Sequence, residues 1–183
     1  MNNYFIIHGS FGNPYVNWFA WLHDLLESKQ KQVYVPDFPT GVEHQNYDNW
    51  SKLLKYYFDL GLINEDTIII GHSIAPTFIC KFLIQNKIKV SKIISVAGFN
   101  NYLNISEEYD TVNKTMYSDN IEEVKKYSKE IVCLYSDNDP YVKYEVEKKF
   151  ADKIATKQIL LPNCGHINTE SGFTTFEDIV KFL

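Results

Sequence analysis

The sequence predicts an α/β fold, a mostly parallel sheet of about six strands with helices on both faces. Three observations lead there. Short apolar runs recur along the 183 residues, they are continuous rather than alternating, and amphipathic segments separate them. Continuous apolar runs suit strands covered on both faces. Regular strand–helix alternation suits a three-layer arrangement with right-handed crossovers. The length fits one domain over 1–183, enough to bury a substantial core, and no repeat or linker divides it.

The elements follow in order. Tyr4–Ile7 is the first strand run, and Phe19, Leu22, Leu25 and Leu26 then recur at helical spacing. Val33–Val35 is the second, followed by Trp50, Leu53, Leu54 and Tyr57. Thr67–Ile70 is the third, and Pro76 marks the first turn of the next helix, where a missing amide hydrogen costs little. Lys92–Val96 is the fourth. The irregular connection Phe99–Lys129 comes next, with a helix expected over Ile121–Tyr127. Ile131–Tyr135 is the fifth strand, and Val146, Phe150 and Ile154 continue at a spacing of four. Lys157–Leu161 is the sixth, and Phe173–Leu183 is expected to close the chain as a final helix. Ligand crevices in open α/β sheets form at the carboxyl ends of the strands. The Phe99–Lys129 insertion therefore falls beside any site, yet is too short for a large lid.

Composition narrows the partners. A net charge of −5 argues against nucleic acid or an anionic membrane surface. All 18 basic residues are lysines, so the bidentate guanidinium clamp for phosphates and carboxylates is absent. Cys80, Cys133 and Cys164 are odd in number and widely spaced, which fits free thiols in a reducing compartment. The N-terminal residues lack a signal-peptide pattern and no run is long enough to span a bilayer. The expectation is a soluble, cytoplasmic protein whose partner is a small molecule, with no nucleic acid and no membrane.

The chemistry concentrates at Gly71-His72-Ser73-Ile74-Ala75. An apolar run ends in a small residue, a serine follows two positions later, and a second small residue precedes a helix. That order describes a nucleophile elbow, which holds a serine hydroxyl clear of the backbone. Because strand and helix crowd there, the positions two before and two after the serine must be small, as Gly71 and Ala75 are.

A serine hydroxyl needs a neighbouring base to act as a nucleophile. Asn163-Cys164-Gly165-His166 follows the last strand run, and Gly165 permits the tight turn that swings His166 towards the crevice as base and later acid. The orienting acid should leave an intervening strand, and Ser136-Asp137-Asn138-Asp139-Pro140-Tyr141-Val142 follows the fifth run. Either Asp137 or Asp139 can serve. Asp-Pro-Tyr-Val, with a hydrophobic anchor three residues on, favours Asp139 and leaves Asp137 as a turn residue. Ser73, Asp139 and His166 then stand in the chain order of α/β-hydrolase triads.

An oxyanion needs amide donors. Ile74, directly after the serine, supplies one. The glycine-bearing loop His8-Gly9-Ser10-Phe11-Gly12 offers another, with Ser10 the chosen donor and a plain turn the alternative. His72 is expected to pack rather than react, and Cys164 to be a structural or oxidisable thiol. Trp18, Trp21 and Trp50 read as core residues. Phe11, Phe99 and Tyr141 follow strand ends and are candidates for an acyl-pocket wall or for packing. No histidine spacing fits a metal, and no glycine fingerprint fits a nucleotide.

Five motifs fall in one order: His8-Gly9, Pro36-Asp37-Phe38-Pro39, Gly71-His72-Ser73, Ser136-Asp137-Asn138-Asp139-Pro140 and Cys164-Gly165-His166. Together they resemble the small α/β-hydrolases of the retinoblastoma-binding protein 9-like serine hydrolase family, over nearly the whole chain. The resemblance implies a compact fold with minimal or no lid, a Ser73–Asp139–His166 triad and no cofactor. Ala75 departs from the glycine many hydrolases carry there and adds one methyl of crowding. The Leu-x-Cys-x-Glu sequence associated with retinoblastoma-protein binding is absent, so that partner does not transfer. The expected reaction is cleavage of a small ester, with thioesters or amides also open. An inactive binding module of the same fold and an acyltransferase are the rival readings.

Overall fold

In the computed structural model, which describes residues 2–183, six strands form one sheet. They are β1 (Asn3–Ile7), β2 (Gln32–Tyr34), β3 (Ile68–His72), β4 (Val90–Val96), β5 (Ser128–Ser136) and β6 (Lys157–Leu161). Their order is β2-β1-β3-β4-β5-β6 and every neighbouring pair is parallel. The helices between them are α1 (Phe19–Ser28), α2 (Tyr47–Asp59), α3 (Ala75–Asn86), α4 (Glu107–Asn113) and α5 (Tyr144–Ile154).

The continuous apolar runs work as the period of a strand requires, with successive side chains entering opposite layers. Phe5 and Ile7, Ile69, Ile93, and Ile131 and Cys133 pack with α2, α3 and α5 on one face. Tyr4 and Ile6, Ile68 and Ile70, Ile94, and Val132 and Leu134 pack with α1 and the C-terminal segment on the other. Each such side chain, fully buried, contributes roughly 1.5–3 kcal/mol. Trp18 and Trp50 are fully buried as expected, and each spends its indole N–H on a loop carbonyl, Ile167 and Pro39 respectively.

The strand order sets where a ligand can sit. The chain steps outward from β1 to β2, then reverses and builds β3 to β6 on the other side of β1. A crevice opens at such a reversal, beyond the carboxyl ends of the two strands that flank it. Those ends carry His8–Gly12 after β1 and Ser73 after β3.

Three sequence expectations need correction. The third strand runs on through Gly71 and His72 rather than stopping at Ile70. The Ile121–Tyr127 helix is a 3₁₀ helix over Ile121–Lys126, and α4 precedes it in the same insertion. The C-terminal helix over 173–183 does not form, and only Glu177–Phe182 is helical, again 3₁₀. The reason lies in spacing. Phe173, Phe176, Ile179 and Phe182 recur every three residues and all pack on the same core, which matches three residues per turn better than 3.6. No helix among the described residues is long and apolar enough to cross a membrane.

Candidate active site

Ser73 follows β3 directly with φ +63°, a left-handed conformation uncommon for a side chain other than glycine or asparagine. Its amide donates to the carbonyl of Val96 at 2.9 Å, which pins the turn to the end of β4. Strand and helix meet closely here. A Cβ on Gly71 would stand 2.9 Å from the Pro76 nitrogen and 2.7 Å from Ile79 Cδ1, so position 71 has no room for a side chain. Helix α3 starts at Ala75, and among the described residues the Ile74 amide at its head donates to no protein acceptor.

The loop after β1 closes on the serine from the other side. A Cβ on Gly9 would lie 2.7 Å from Ser73 Cβ and 3.3 Å from its Oγ. His8 fixes this loop with both ring nitrogens. Nδ1–H donates to the Gly9 carbonyl at 2.8 Å, and Nε2 accepts from the Phe38 amide at 3.1 Å. That assignment requires a neutral ring, and burial pushes the His8 pKa down against the opposing pull of those bonds and of Asp37. The Phe11 amide is engaged by Gln45 at 3.0 Å, while the Ser10 amide, like that of Ile74, has no protein acceptor among the described residues.

Asp139 and His166 sit on two loops joined rung by rung. Asp137 accepts from the Asn163 amide at 2.7 Å, Ser136 Oγ from the Cys164 amide at 3.0 Å, and Asn138 Oδ1 from the Gly165 amide at 2.8 Å. The fourth rung is His166 Nδ1 to Asp139 Oδ2 at 2.5 Å. Asp139 Oδ1 accepts the amides of Tyr141 at 2.8 Å and Val142 at 3.0 Å. The Asp139 side chain is wholly buried and that of His166 is 8% exposed. Burial works to raise the Asp139 pKa, but the bond and charge of His166 and the two amides outweigh it, and the carboxyl is held below its ordinary value. Asp139 is therefore the carboxylate that meets the histidine, and Asp137 is the turn residue.

His166 is tied down from behind. Its amide donates to Ser171 Oγ at 3.1 Å, and its carbonyl accepts from His72 Nε2 at 2.9 Å. A carbonyl can only accept, so Nε2 of His72 carries the proton. Burial and the nearby His166 push the His72 pKa down to about 3, leaving it neutral. His72 thus links residue 166 to the residue before Ser73 and takes a structural place.

Ser73 and His166 line one cleft of about 200 Å³, with Gly9, Ser10, Tyr109 and Tyr141 among its walls. Tyr141 sets its ring edge-on to His166, centroids 5.3 Å apart, and its hydroxyl bonds Glu170 at the rim. Phe99, by contrast, is fully buried in the core, and Phe11 is 43% exposed beside Tyr109. Of the three proposed wall residues, only Tyr141 lines the cleft. Cys164 lies outside it, with Sγ directed to the Pro162 carbonyl.

The insertion supplies a wall that sequence reasoning missed. Helix α4 carries Tyr109, whose hydroxyl faces Ser73, Ser10 and Asn113, and whose pKa burial raises. Asn113, fully buried, accepts from Ser10 Oγ at 2.7 Å and from Gln45 Nε2 at 3.2 Å. A sequence signal for α4 existed. Ser106 caps it by accepting the Tyr109 amide at 3.1 Å, and Glu107, Glu108 and Asp110 follow in its first turn, the pattern that favours a helix start.

Comparison with known proteins agrees with this architecture. The crystal structure of the ydeN gene product from B. subtilis superposes with a TM-score of 0.88 at 22% identity, over 100% of this chain and 96% of that one. Est1E from Butyrivibrio proteoclasticus, solved with ferulic acid bound, gives 0.74 at 14% identity, covering 100% and 88%. A monoacylglycerol lipase from Paleococcus ferrophilus gives 0.66 at 14%, covering 90% and 85%. At such identities the likeness establishes a shared α/β-hydrolase fold. No curated protein sequence matches the chain. The serine hydrolase family, however, matches residues 4–183, nearly the full length. The chain belongs to the serine hydrolase family.

Proposed function

We propose that this chain cleaves small carboxylic esters through a Ser73–Asp139–His166 triad and an acyl-enzyme, with thioesters and amides open to the same chemistry. The observation that carries the reading is the left-handed Ser73 at the reversal point of the sheet, sharing one cleft with a histidine whose Nδ1 is bonded to a buried carboxylate. Asp139 fixes the imidazole with its proton on Nδ1, which leaves Nε2 free to take the Ser73 proton as Oγ attacks the carbonyl carbon. The resulting imidazolium is stabilised by the Asp139 charge and returns the proton to the leaving alkoxide. Water then enters, His166 deprotonates it, and the acid leaves.

The developing oxyanion is assigned to the amides of Ile74 and Ser10, since both are free of protein acceptors among the described residues and their loops flank Ser73. The whole reaction runs on side chains and amides of one domain over 1–183, so the reading calls for no cofactor or metal. Three free cysteines fit a reducing cytoplasm. Within the family, the five-motif pattern supports a likeness to the retinoblastoma-binding protein 9-like hydrolases.

Hydrolysis of 4-nitrophenyl acetate by the wild type and by Ser73→Ala tests the reading. Loss of a triad nucleophile costs several orders of magnitude in turnover, so a folded Ser73→Ala should retain no more than about a thousandth of the rate. Full retention would refute it. Adding a competing alcohol and analysing the products separates acyl transfer from hydrolysis.

A further inference from the structure

One carboxyl near the site has no place in this mechanism. Glu147, on α5, is 1% exposed, yet it has no cationic partner among the described residues. Its Oε2 accepts from the Ser136 amide at 3.3 Å, a long bond, and its Oε1 has no partner among the described residues. The group that its carboxyl faces is the Asp139 carboxyl. Two facing carboxyls out of water cannot both ionise without severe repulsion. Asp139 is the one committed to being an anion, because it accepts two amides and the imidazole N–H.

We propose that Glu147 is a positioning residue for the triad: it keeps its proton and donates it in a hydrogen bond to Asp139, holding that carboxylate square to His166. This role rests on the esterase reading above. Donation fills the empty slot at Oε1 and adds a fourth hydrogen bond to Asp139, so that the acid is held from the amide side, the imidazole side and behind. Loss of the proton takes the pair from one negative charge to two, and the added repulsion drives Asp139 off its bond with His166.

The surroundings agree. Burial, then the Asp139 charge, push the Glu147 pKa up to about 9, while the Ser136 amide opposes. Asp139 is the charged group that faces it, with His166 beyond. From β5 it meets the uncharged Ser136 amide. On its own helix, Lys148 is paired with Asp152, and Tyr144 packs on Tyr135.

Glu147→Gln separates the proton from the shape, because the amide can still accept from Ser136 and still donate to Asp139 but cannot ionise. Two measurements decide. In the full-length protein labelled with ¹³Cδ-glutamate, one carboxyl carbon should titrate near pH 9, and it should vanish in Glu147→Gln. Ser73-dependent hydrolysis of 4-nitrophenyl acetate should fall above the same pH in the wild type, whereas Glu147→Gln should keep its rate within about threefold at pH 7 and hold it through pH 10. Glu147→Leu, checked for folding by circular dichroism, should lose kcat at least tenfold with KM little changed, since no substrate wall is altered. Every glutamate titrating in the ordinary carboxylate range, or an identical alkaline fall in Glu147→Gln, would overturn the proposal. The carbon titration stands apart from catalysis, and activity that survives Ser73→Ala would instead refute the esterase reading.

Discussion

Gly9 and Ser73 touch so closely that a single methyl on the glycine would stand 2.7 Å from Ser73 Cβ. The loop after β1 and the turn that carries Ser73 are therefore packed as one unit, with His8 bonded to both Gly9 and Phe38 to hold the loop in place.

Gly9→Ala should push the loop away from Ser73 by several tenths of an ångström. Positioning errors approaching 1 Å cost about a hundredfold in rate. We expect a loss of roughly ten- to a hundredfold in kcat, with the melting temperature only modestly lowered. Unchanged ester hydrolysis by Gly9→Ala would mean that the loop takes no part.

On the proposed triad, the two aspartates of the loop after β5 should behave differently. Asp139→Asn can keep the contact with His166 but favours the wrong tautomer, and comparable changes cost about four orders of magnitude. Asp137→Asn or Asp137→Ala removes at most the acceptor of the Asn163 amide, worth about 1 kcal/mol, and should cost less than about tenfold in rate. Steady-state kinetics of the variants would expose an exchanged assignment at once.

Acidity and stability are linked through Glu147. In the unfolded chain its carboxyl ionises near 4.5; in the folded chain it holds its proton to about 9. Between those values the unfolded state binds fewer protons, so stability is greatest below the lower value and declines as pH rises, by about 1.4 kcal/mol per pH unit. Glu147→Gln removes that slope, and its advantage over the wild type in urea unfolding should be larger at pH 8 than at pH 6. A difference that stays constant would contradict the burial argument. Asp139 runs the opposite way: its folded pKa is held below the ordinary value, so its contribution is present above that value and is lost as pH falls.

Substrate size follows from the cleft. About 200 Å³ is small beside the volumes that hold drug-sized ligands, and α4 with Tyr109 closes one side. Among 4-nitrophenyl esters, acetate and butyrate should be hydrolysed with higher kcat/KM than palmitate. A strong preference for the long chain would require more room beside Ser73 than this cleft offers.

How much of this was legible beforehand differs by element. The central strands β1, β3, β4 and β5 were readable because most of their residues are buried on both faces, and Ile68, Ile69 and Ile70 announce that without help from the rest of the chain, whereas the edge strands β2 and β6 are only partly covered. Gly71 and Ser73 were readable because a sharp strand-to-helix turn restricts its own neighbours. The rung-by-rung bonding of residues 136–139 to 163–166 was not, since it depends on β5 and β6 standing side by side. Gln45 and Asn113 lie far apart in the chain, and no local pattern marks them as a pair. Glu147 was hidden for the opposite reason. It sits in a helix among exposed charges, where a glutamate ordinarily faces water, and only the packing of α5 on β5 shows that it does not.

The most direct test is peptide mapping by mass spectrometry after treatment with a fluorophosphonate, which bonds preferentially to an activated serine. A single adduct on the peptide that carries residue 73, lost in Ser73→Ala and strongly slowed in Asp139→Asn, is the predicted result. A folded wild-type protein that takes up no reagent, or takes it up elsewhere, would contradict the account.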